Sequence, residues 1–280
     1  MPISVINGIH LSYEEYGTGD PVVLIAGTGS RGRTFRAHQV PALNHAGYRA
    51  ITLDNRGVPP TDVCPEGFTL ADMTADVVGL IEHLDVGPCR LVGFSLGAII
   101  AQEVALARPD LIDQAVLMGT RGRTDALREA LAAAELERYD QGVKLPPRYE
   151  AAVSLLRWFS PRTLRDDQTV RDWLDIFEMS PPSESLSRSQ LTMDLLPGRL
   201  HDYRRIEPEC LILAFSDDVV TPPHLGREVA ETIPRGTYRE ITDCGHYGHL
   251  ENPNAVNAAI VDFFGRSANL PGSGRRSWPG

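Results

Sequence analysis

Gly93-Phe94-Ser95-Leu96-Gly97 lies between residues 89–94 (CRLVGF), which read as a buried strand, and residues 96–108, which read as a helix stopped by Pro109. A serine at the centre of G-x-S-x-G in that context sits on a strand-to-helix turn. So tight a turn pushes its central residue toward positive φ, and side chains two positions away on either side would strike the adjoining helix and strand. Glycine at 93 and 97 removes both. The bend lifts the serine oxygen clear of the backbone at the carboxyl edge of a sheet, above a helix N-terminus that favours developing negative charge. A Gly/Ser turn without chemistry is the plainer alternative, and the flanking strand and helix weigh against it.

Outward from this turn the chain alternates strand and helix. Residues 9–16 alternate weakly and predict an antiparallel strand, while 21–26 (PVVLIA) is continuously apolar, as a strand buried on both faces should be. Residues 35–46 read as a helix and 49–54 (RAITLD) as a strand. In 69–84, Leu70, Met73, Val77, Leu80, Ile81 and Leu84 recur at three- and four-residue steps, predicting an amphipathic helix before the strand at 89–94. Residues 114–118 (QAVLM) read as a further strand. This alternation predicts an α/β fold whose mostly parallel sheet carries helices on both faces.

From 124 to about 203 the strand signal disappears. Helical periodicity at 127–139, 149–158 and 169–177 is interrupted by Pro146-Pro147, Ser160-Pro161 and Ser180-Pro181-Pro182-Ser183. The α/β pattern returns with strands at 210–215 and 237–241 and helices at 224–232 and 253–264. The expected division is a core over 1–120 and 206–265, an all-helical insertion over 121–205, and a disordered tail over 266–280.

At 280 residues, 42% hydrophobic and 23% charged, the chain can fill one large core with an insertion. No apolar run approaches the ~20 residues needed to span a bilayer. The N-terminus has no basic-then-apolar leader, so the expected location is cytoplasmic. A net charge of −10 opposes nucleic-acid and anionic-membrane partners. Of the 27 basic residues all but Lys144 are arginine, which reads as coding bias. The clusters Arg31, Arg33, Arg36; Arg204, Arg205; and Arg275, Arg276 read as solvated surface. Cys64, Cys89, Cys210 and Cys244 form no C-x-x-C pair and no zinc-ligand spacing, so no metal is expected. A redox role for Cys244, two residues before a histidine, is the minor reading.

A serine hydroxyl at its free pKa is a weak nucleophile and needs a base within hydrogen-bond reach. Of the eight histidines, His246 stands on the loop after the last strand (DCGHYGHLENP, 243–253), at the same carboxyl edge as Ser95. His249 is a second candidate, read rather as pocket wall or surface. His10, His38, His45, His83, His201 and His224 fall on helices or loop flanks. The base in turn needs a carboxylate to fix its tautomer and stabilise the imidazolium. Asp217 and Asp218, after the strand at 210–215, both qualify; Asp125 is a distant third.

The order serine, aspartate, histidine, together with GFSLG (93–97), DVVTP (218–222), GHYGHLENP (245–253) and Asp54-Asn55-Arg56-Gly57, resembles the α/β-hydrolase fold superfamily, in its serine-nucleophile branch with a helical lid. The resemblance covers essentially the whole chain except the tail. It implies Asp218, four residues before Pro222, as the acid; backbone N–H groups of Thr28 and Leu96 as the oxyanion hole; no cofactor; and the helical insertion as a lid. Many relatives carry His-Gly at the first loop where this chain has Ala26-Gly27, which leaves the backbone donors in place. Relatives that cleave carbon–halogen bonds or epoxides carry aspartate where Ser95 stands. A less specific resemblance to actinobacterial hydrolases of polyketide pathways implies secondary metabolism.

The expected reaction is hydrolysis of an ester, thioester or lactone of a small, largely apolar metabolite through an acyl-enzyme. The substrate is expected as a free small molecule or as an acyl chain on a carrier protein. Phe94, Tyr247, Trp158 and Trp173 are expected to line its pocket, with Phe177 and Met179 as further candidates. The same three residues also suit carbon–carbon cleavage, acyl elimination or cofactor-free peroxidase chemistry, and a low-turnover receptor could retain them. Hydroxynitrile cleavage would want a lysine, for which Lys144 is the sole candidate. Finally, Gly27-Thr28-Gly29-Ser30-Arg31-Gly32 with Asp54 some 20 residues on matches the dinucleotide fingerprint, but a hairpin precedes it and a dehydrogenase has no use for the serine, histidine and aspartate.

Overall fold

The computed structural model describes residues 2–180, 187–195 and 197–267. Eight strands form one sheet: β1 (Ile3–Ile6), β2 (Ile9–Tyr16), β3 (Asp20–Ile25), β4 (Tyr48–Leu53), β5 (Cys89–Phe94), β6 (Ile112–Met118), β7 (Glu209–Phe215) and β8 (Gly236–Ile241). Their spatial order is β1-β2-β4-β3-β5-β6-β7-β8. β1 and β2 form a hairpin, β2 pairs antiparallel with β4, and every other pairing is parallel. The hairpin turns on Asn7-Gly8, both at positive φ, the signature of a two-residue turn that matches strand twist.

Period-two alternation sends each strand's side chains to two separate cores. Val23 and Ile25 of β3 pack with Val77 and Leu80 of α2 (Leu70–His83), with Val104 of α3 (Leu96–Ala107) and with Val229. Val22 and Leu24 pack on the other face, with Val40 and Leu43 of α1 (Gln39–His45) and with Val256 and Ile260 near the C-terminus. Helices therefore cover both faces, as the alternation of apolar runs predicts. α2 begins with a capping box in which Thr69 and Asp72 satisfy each other's backbone N–H groups.

One element differs from expectation. Residues 32–35 form a 3-10 turn and α1 starts only at Gln39, not at 35. Pro41 is the reason: it has no N–H to give to Ala37, so it is tolerated in the first turn of a helix and not in its interior.

Between β6 and β7 every described element is helical: α4 (Ala126–Asp140), α5 (Pro147–Trp158), α6 (Asp167–Met179), α7 (Arg188–Thr192) and α8 (Leu200–Tyr203), with short 3-10 turns. α5 and α6 share a small core of Ala151, Leu155, Phe159 and Phe177, which also packs against Tyr247. The chain then runs through α9 (Pro223–Thr232), β8, α10 (Gly248–Glu251) and α11 (Pro253–Ser267). Almost all of the segment expected to be a disordered tail lies outside the described residues. No helix among the described residues is long and apolar enough to cross a membrane.

Candidate active site

Six parallel strands, β3 to β8, end at one edge of the sheet, so the loops after β3, β5, β7 and β8 meet there although they are far apart in sequence. The loop after β5 is the sharp turn at Ser95, whose φ is +54° and ψ −119°. The two glycines are required by distance. A Cβ at Gly93 would sit 2.4 Å from the Gly97 carbonyl oxygen, and one at Gly97 would sit 2.0 Å from the Ile25 carbonyl oxygen. Both are far inside van der Waals contact, and the second clash is with the neighbouring strand's backbone, which cannot give.

Three side chains converge on this turn. Ser95 Oγ lies 3.0 Å from His246 Nε2, and His246 Nδ1 lies 2.8 Å from Asp218 Oδ2. His246 and Asp218 are buried. Of the two adjacent aspartates it is Asp218 that reaches the imidazole; the backbone N–H of Asp217 donates to the Cys244 carbonyl. Asp218 is itself fixed by the N–H groups of Val220 and Thr221, each 2.8 Å from Oδ1, and by the Thr221 hydroxyl, which donates to Oδ2 at 2.7 Å. A carboxylate so held accepts from Nδ1–H, which leaves Nε2 as the acceptor facing the serine. Asp125 is the N-cap of α4 and takes no part.

Thr28 borders the same cavity as Ser95, and Gly27 packs close against the Ser95 Cβ. Leu96 opens α3, so its N–H has no acceptor within the helix, while its side chain is buried in the core. Gln190 of α7, fully buried, accepts from the Gly29 N–H at 2.7 Å and donates to the Arg56 carbonyl at 2.8 Å, pinning the Thr28 loop from the helical segment. Asp54 accepts from the Gly32 N–H at 2.8 Å and is buried, so the acid of the dinucleotide fingerprint is occupied by its own glycine loop.

The cavity over Ser95 has a volume of about 530 Å³, within the range usual for small-molecule sites. Phe94, Trp158, Tyr247 and Phe177 border it as expected, joined by Ile176 and Leu191. Trp158 stacks on Tyr247 with ring centroids 4.9 Å apart. Trp173 does not border it; it packs behind Phe159 at 4.9 Å, inside the α5–α6 core. Met179 is 78% exposed and also off the cavity. The largely apolar lining expected is corrected as well: Arg31, Arg33, Arg128 and Arg157 stand in the wall with Glu135 and Asp194. Hydropathy patterns along the sequence could not show this, because arginines at helix ends and loop positions read as solvated until the helical segment folds over them.

His249, expected at the pocket wall or surface, is buried beneath Phe94 with ring centroids 4.2 Å apart, and neither ring nitrogen has a hydrogen-bond partner. Burial, aided by repulsion from His246 and His38, pushes its pKa down to about 3. An unfolded histidine titrates near 6.5, so below that pH the unfolded chain binds a proton that the folded chain refuses until about pH 3. Stability should therefore fall by about 1–2 kcal/mol between pH 6.5 and 5. His249→Phe should flatten that slope in denaturant titrations at the two pH values, and an unchanged slope would contradict it. Burial likewise pushes the Cys244 thiol up to about 12, which opposes a redox role.

Glu251 is a site residue that motif reading passed over. It accepts from the Gly245 N–H at 2.6 Å, from the Ser160 N–H and hydroxyl at 3.0 and 2.7 Å, and from the Thr163 hydroxyl. Tyr247 N–H adds a bond to the Trp158 carbonyl at 2.9 Å. These contacts tie the loop carrying His246 to the end of α5. Glu251→Ala should strand several donors and cost about 2–4 kcal/mol, seen as a drop of roughly 5–10 °C in Tm, with a lower kcat as His246 loosens. A Tm within 1–2 °C of native would refute that role.

The Alpha/beta hydrolase family profile matches residues 22–259. A Mycobacterium tuberculosis protein named BpoC, provisionally classed as a non-heme bromoperoxidase, is 52% identical over 257 residues, covering 91% of this chain and 98% of that one. Its crystal structure superposes with a TM-score of 0.87 at 50% identity, covering 91% of this chain and 96% of that one. The (E)-2-((N-methylformamido)methylene)succinate hydrolase of Acinetobacter baylyi is 29% identical, over 89% of this chain and 91% of its own. A thermophilic esterase from Thermogutta terrifontis superposes with a TM-score of 0.81 at 27% identity, over 95% of this chain and 99% of its own. Fold, strand order and profile agree, and the chain belongs to the alpha/beta hydrolase family of enzymes.

Proposed function

We propose that the protein is a serine hydrolase that cleaves an ester, thioester or lactone through an acyl-enzyme. The observation that carries this reading is the unbroken chain Ser95 Oγ, His246 Nε2, His246 Nδ1, Asp218 Oδ2, with steps of 3.0 and 2.8 Å. In this scheme His246 takes the Ser95 proton as Oγ attacks the carbonyl carbon. The oxyanion that forms is held by the N–H groups of Thr28 and Leu96, and His246 returns the proton to the leaving oxygen or sulfur. Water, deprotonated by the same imidazole, then releases the acid and regenerates the serine.

The helical segment over the cavity acts as the lid that chooses the acyl group, since it supplies Trp158, Ile176 and Phe177. The hydrolase and esterase names of relatives support the reading. The name of BpoC supports one variation, attack of hydrogen peroxide in place of water on the acyl-enzyme, giving a peracid. Lys144 is exposed and off the cavity, which disfavours lysine-assisted cyanohydrin cleavage.

The test is a fluorophosphonate probe followed by a panel of esters, thioesters and lactones. The expected result is a single covalent adduct on Ser95 and time-dependent release of acid. A protein that neither labels nor turns over any of the panel would exclude this function and favour a receptor.

A further inference from the structure

We propose that the cavity beside Ser95 contains a carboxylate-binding subsite formed by Arg31, Arg33, Arg128 and Arg157, so that the acyl group cleaved carries a free carboxylate distal to the scissile carbonyl. The inference rests on the hydrolase reading above and names its substrate class.

The charge balance of the wall points to it. In a chain of net charge −10, this cavity is bordered by four arginines and only two carboxylates, Glu135 and Asp194. Those carboxylates do not cancel the arginines. Asp194 is shared: its Oδ1 accepts from Arg121 at 3.0 Å while its Oδ2 accepts from Arg128, so one partly buried negative charge faces two guanidinium groups, of which that of Arg121 is buried. Arg128 keeps Nε and Nη1 without a hydrogen-bond partner. Glu135 pairs with Arg157, whose Nε is also unbonded. Arg31 and Arg33, on the loop after β3, form no side-chain hydrogen bond or ion pair with any described residue.

Arg31 and Arg33 bring positive charge to a partly closed site in which the two carboxylates already pair with Arg128 and Arg157, so an anion there is favoured, and a guanidinium's planar fork matches a carboxylate in shape. The other wall is aromatic, with Phe94, Trp158 and Tyr247. An acyl chain with methylenes against the rings and a carboxylate at the arginines fits both. Arg31 is three residues from Thr28, so its Cα lies within about 11 Å of the Thr28 Cα, beside the expected oxyanion site. A chain of the length of adipate spans that distance once the arginine side chain is counted.

The experiment compares 4-nitrophenyl hydrogen adipate with 4-nitrophenyl hexanoate, its neutral analogue, in native protein, Arg31→Gln and Arg128→Gln. The native enzyme is expected to favour the adipate ester at least tenfold in kcat/KM, less so as salt screens the arginines. Each variant should reduce that ratio several-fold, with thermal melts reporting that it is folded. Arg31→Gln, on a half-exposed loop side chain, keeps the test usable if Arg128→Gln is unstable. Calorimetric titration with adipate, neutral hexanamide and inorganic phosphate reads the subsite independently of turnover. Adipate should bind at least tenfold more tightly than hexanamide.

Equal or better handling of the neutral ester, or a ratio unmoved in both variants, overturns the subsite while leaving the hydrolase reading intact. Phosphate binding tighter than adipate overturns it in favour of a phosphate-bearing ligand. Absence of labelling and of turnover with both esters defeats the hydrolase reading, and the titrations still decide the subsite.

Discussion

Ser95→Ala should lower kcat for any ester the protein hydrolyses by about 10⁴–10⁶-fold and abolish labelling by a fluorophosphonate. The methyl side chain removes the hydroxyl placed 3.0 Å from His246 Nε2 to attack a carbonyl, while leaving the turn's backbone in place. Alanine is smaller than serine, so folding should be nearly unaffected and the melting temperature should stay within a few degrees of native. Residual rate above the uncatalysed reaction would come from the oxyanion donors acting on water. Ser95 and His246 act as one unit, so the double variant Ser95→Ala, His246→Ala should fall no further than either single change. Additive losses would mean that the two side chains serve different steps and would break the proposed mechanism.

Asp218→Asn should lower kcat by about 10⁴-fold with little change in KM for the same substrate. The amide is isosteric, and its oxygen can still accept from the Val220 and Thr221 N–H groups, so the loop geometry should survive. What changes is the sense of the bond to His246. An amide NH₂ at the Oδ2 position donates to Nδ1, which forces the ring proton onto Nε2, and Nε2–H cannot take a proton from Ser95. Asp217→Asn is the paired control and should stay within about threefold of native, because its carboxylate makes no bond to the imidazole. A larger loss from Asp217 than from Asp218 would reverse the assignment.

The G-x-S-x-G turn was legible because its requirement is local. A positive φ between a strand and a helix, with no room for Cβ at 93 or 97, depends on backbone geometry that a few residues carry by themselves. Strand and helix placement followed for the same reason, since hydrophobic period reports which faces are buried whatever the partners are. The start of α1 was misread where one residue, Pro41, outweighs the periodicity around it. The choice between Asp217 and Asp218 could not be made from the residues alone: neighbours in sequence point to opposite sides of a loop, and only the position of His246 distinguishes them.

Linear order thus determined the layered sheet, the sharp turn at Ser95 and the set of candidate acids and bases, because each is written in short-range pattern. Tertiary structure alone decided which carboxylate meets the imidazole, that Trp173 is packed behind the site, that His249 is buried beneath Phe94, and that arginines from a core loop and two helices border one cavity. Those facts depend on distances between segments tens to hundreds of residues apart. The free energy that sets them belongs to packing across the fold, so no local stretch of sequence contains it.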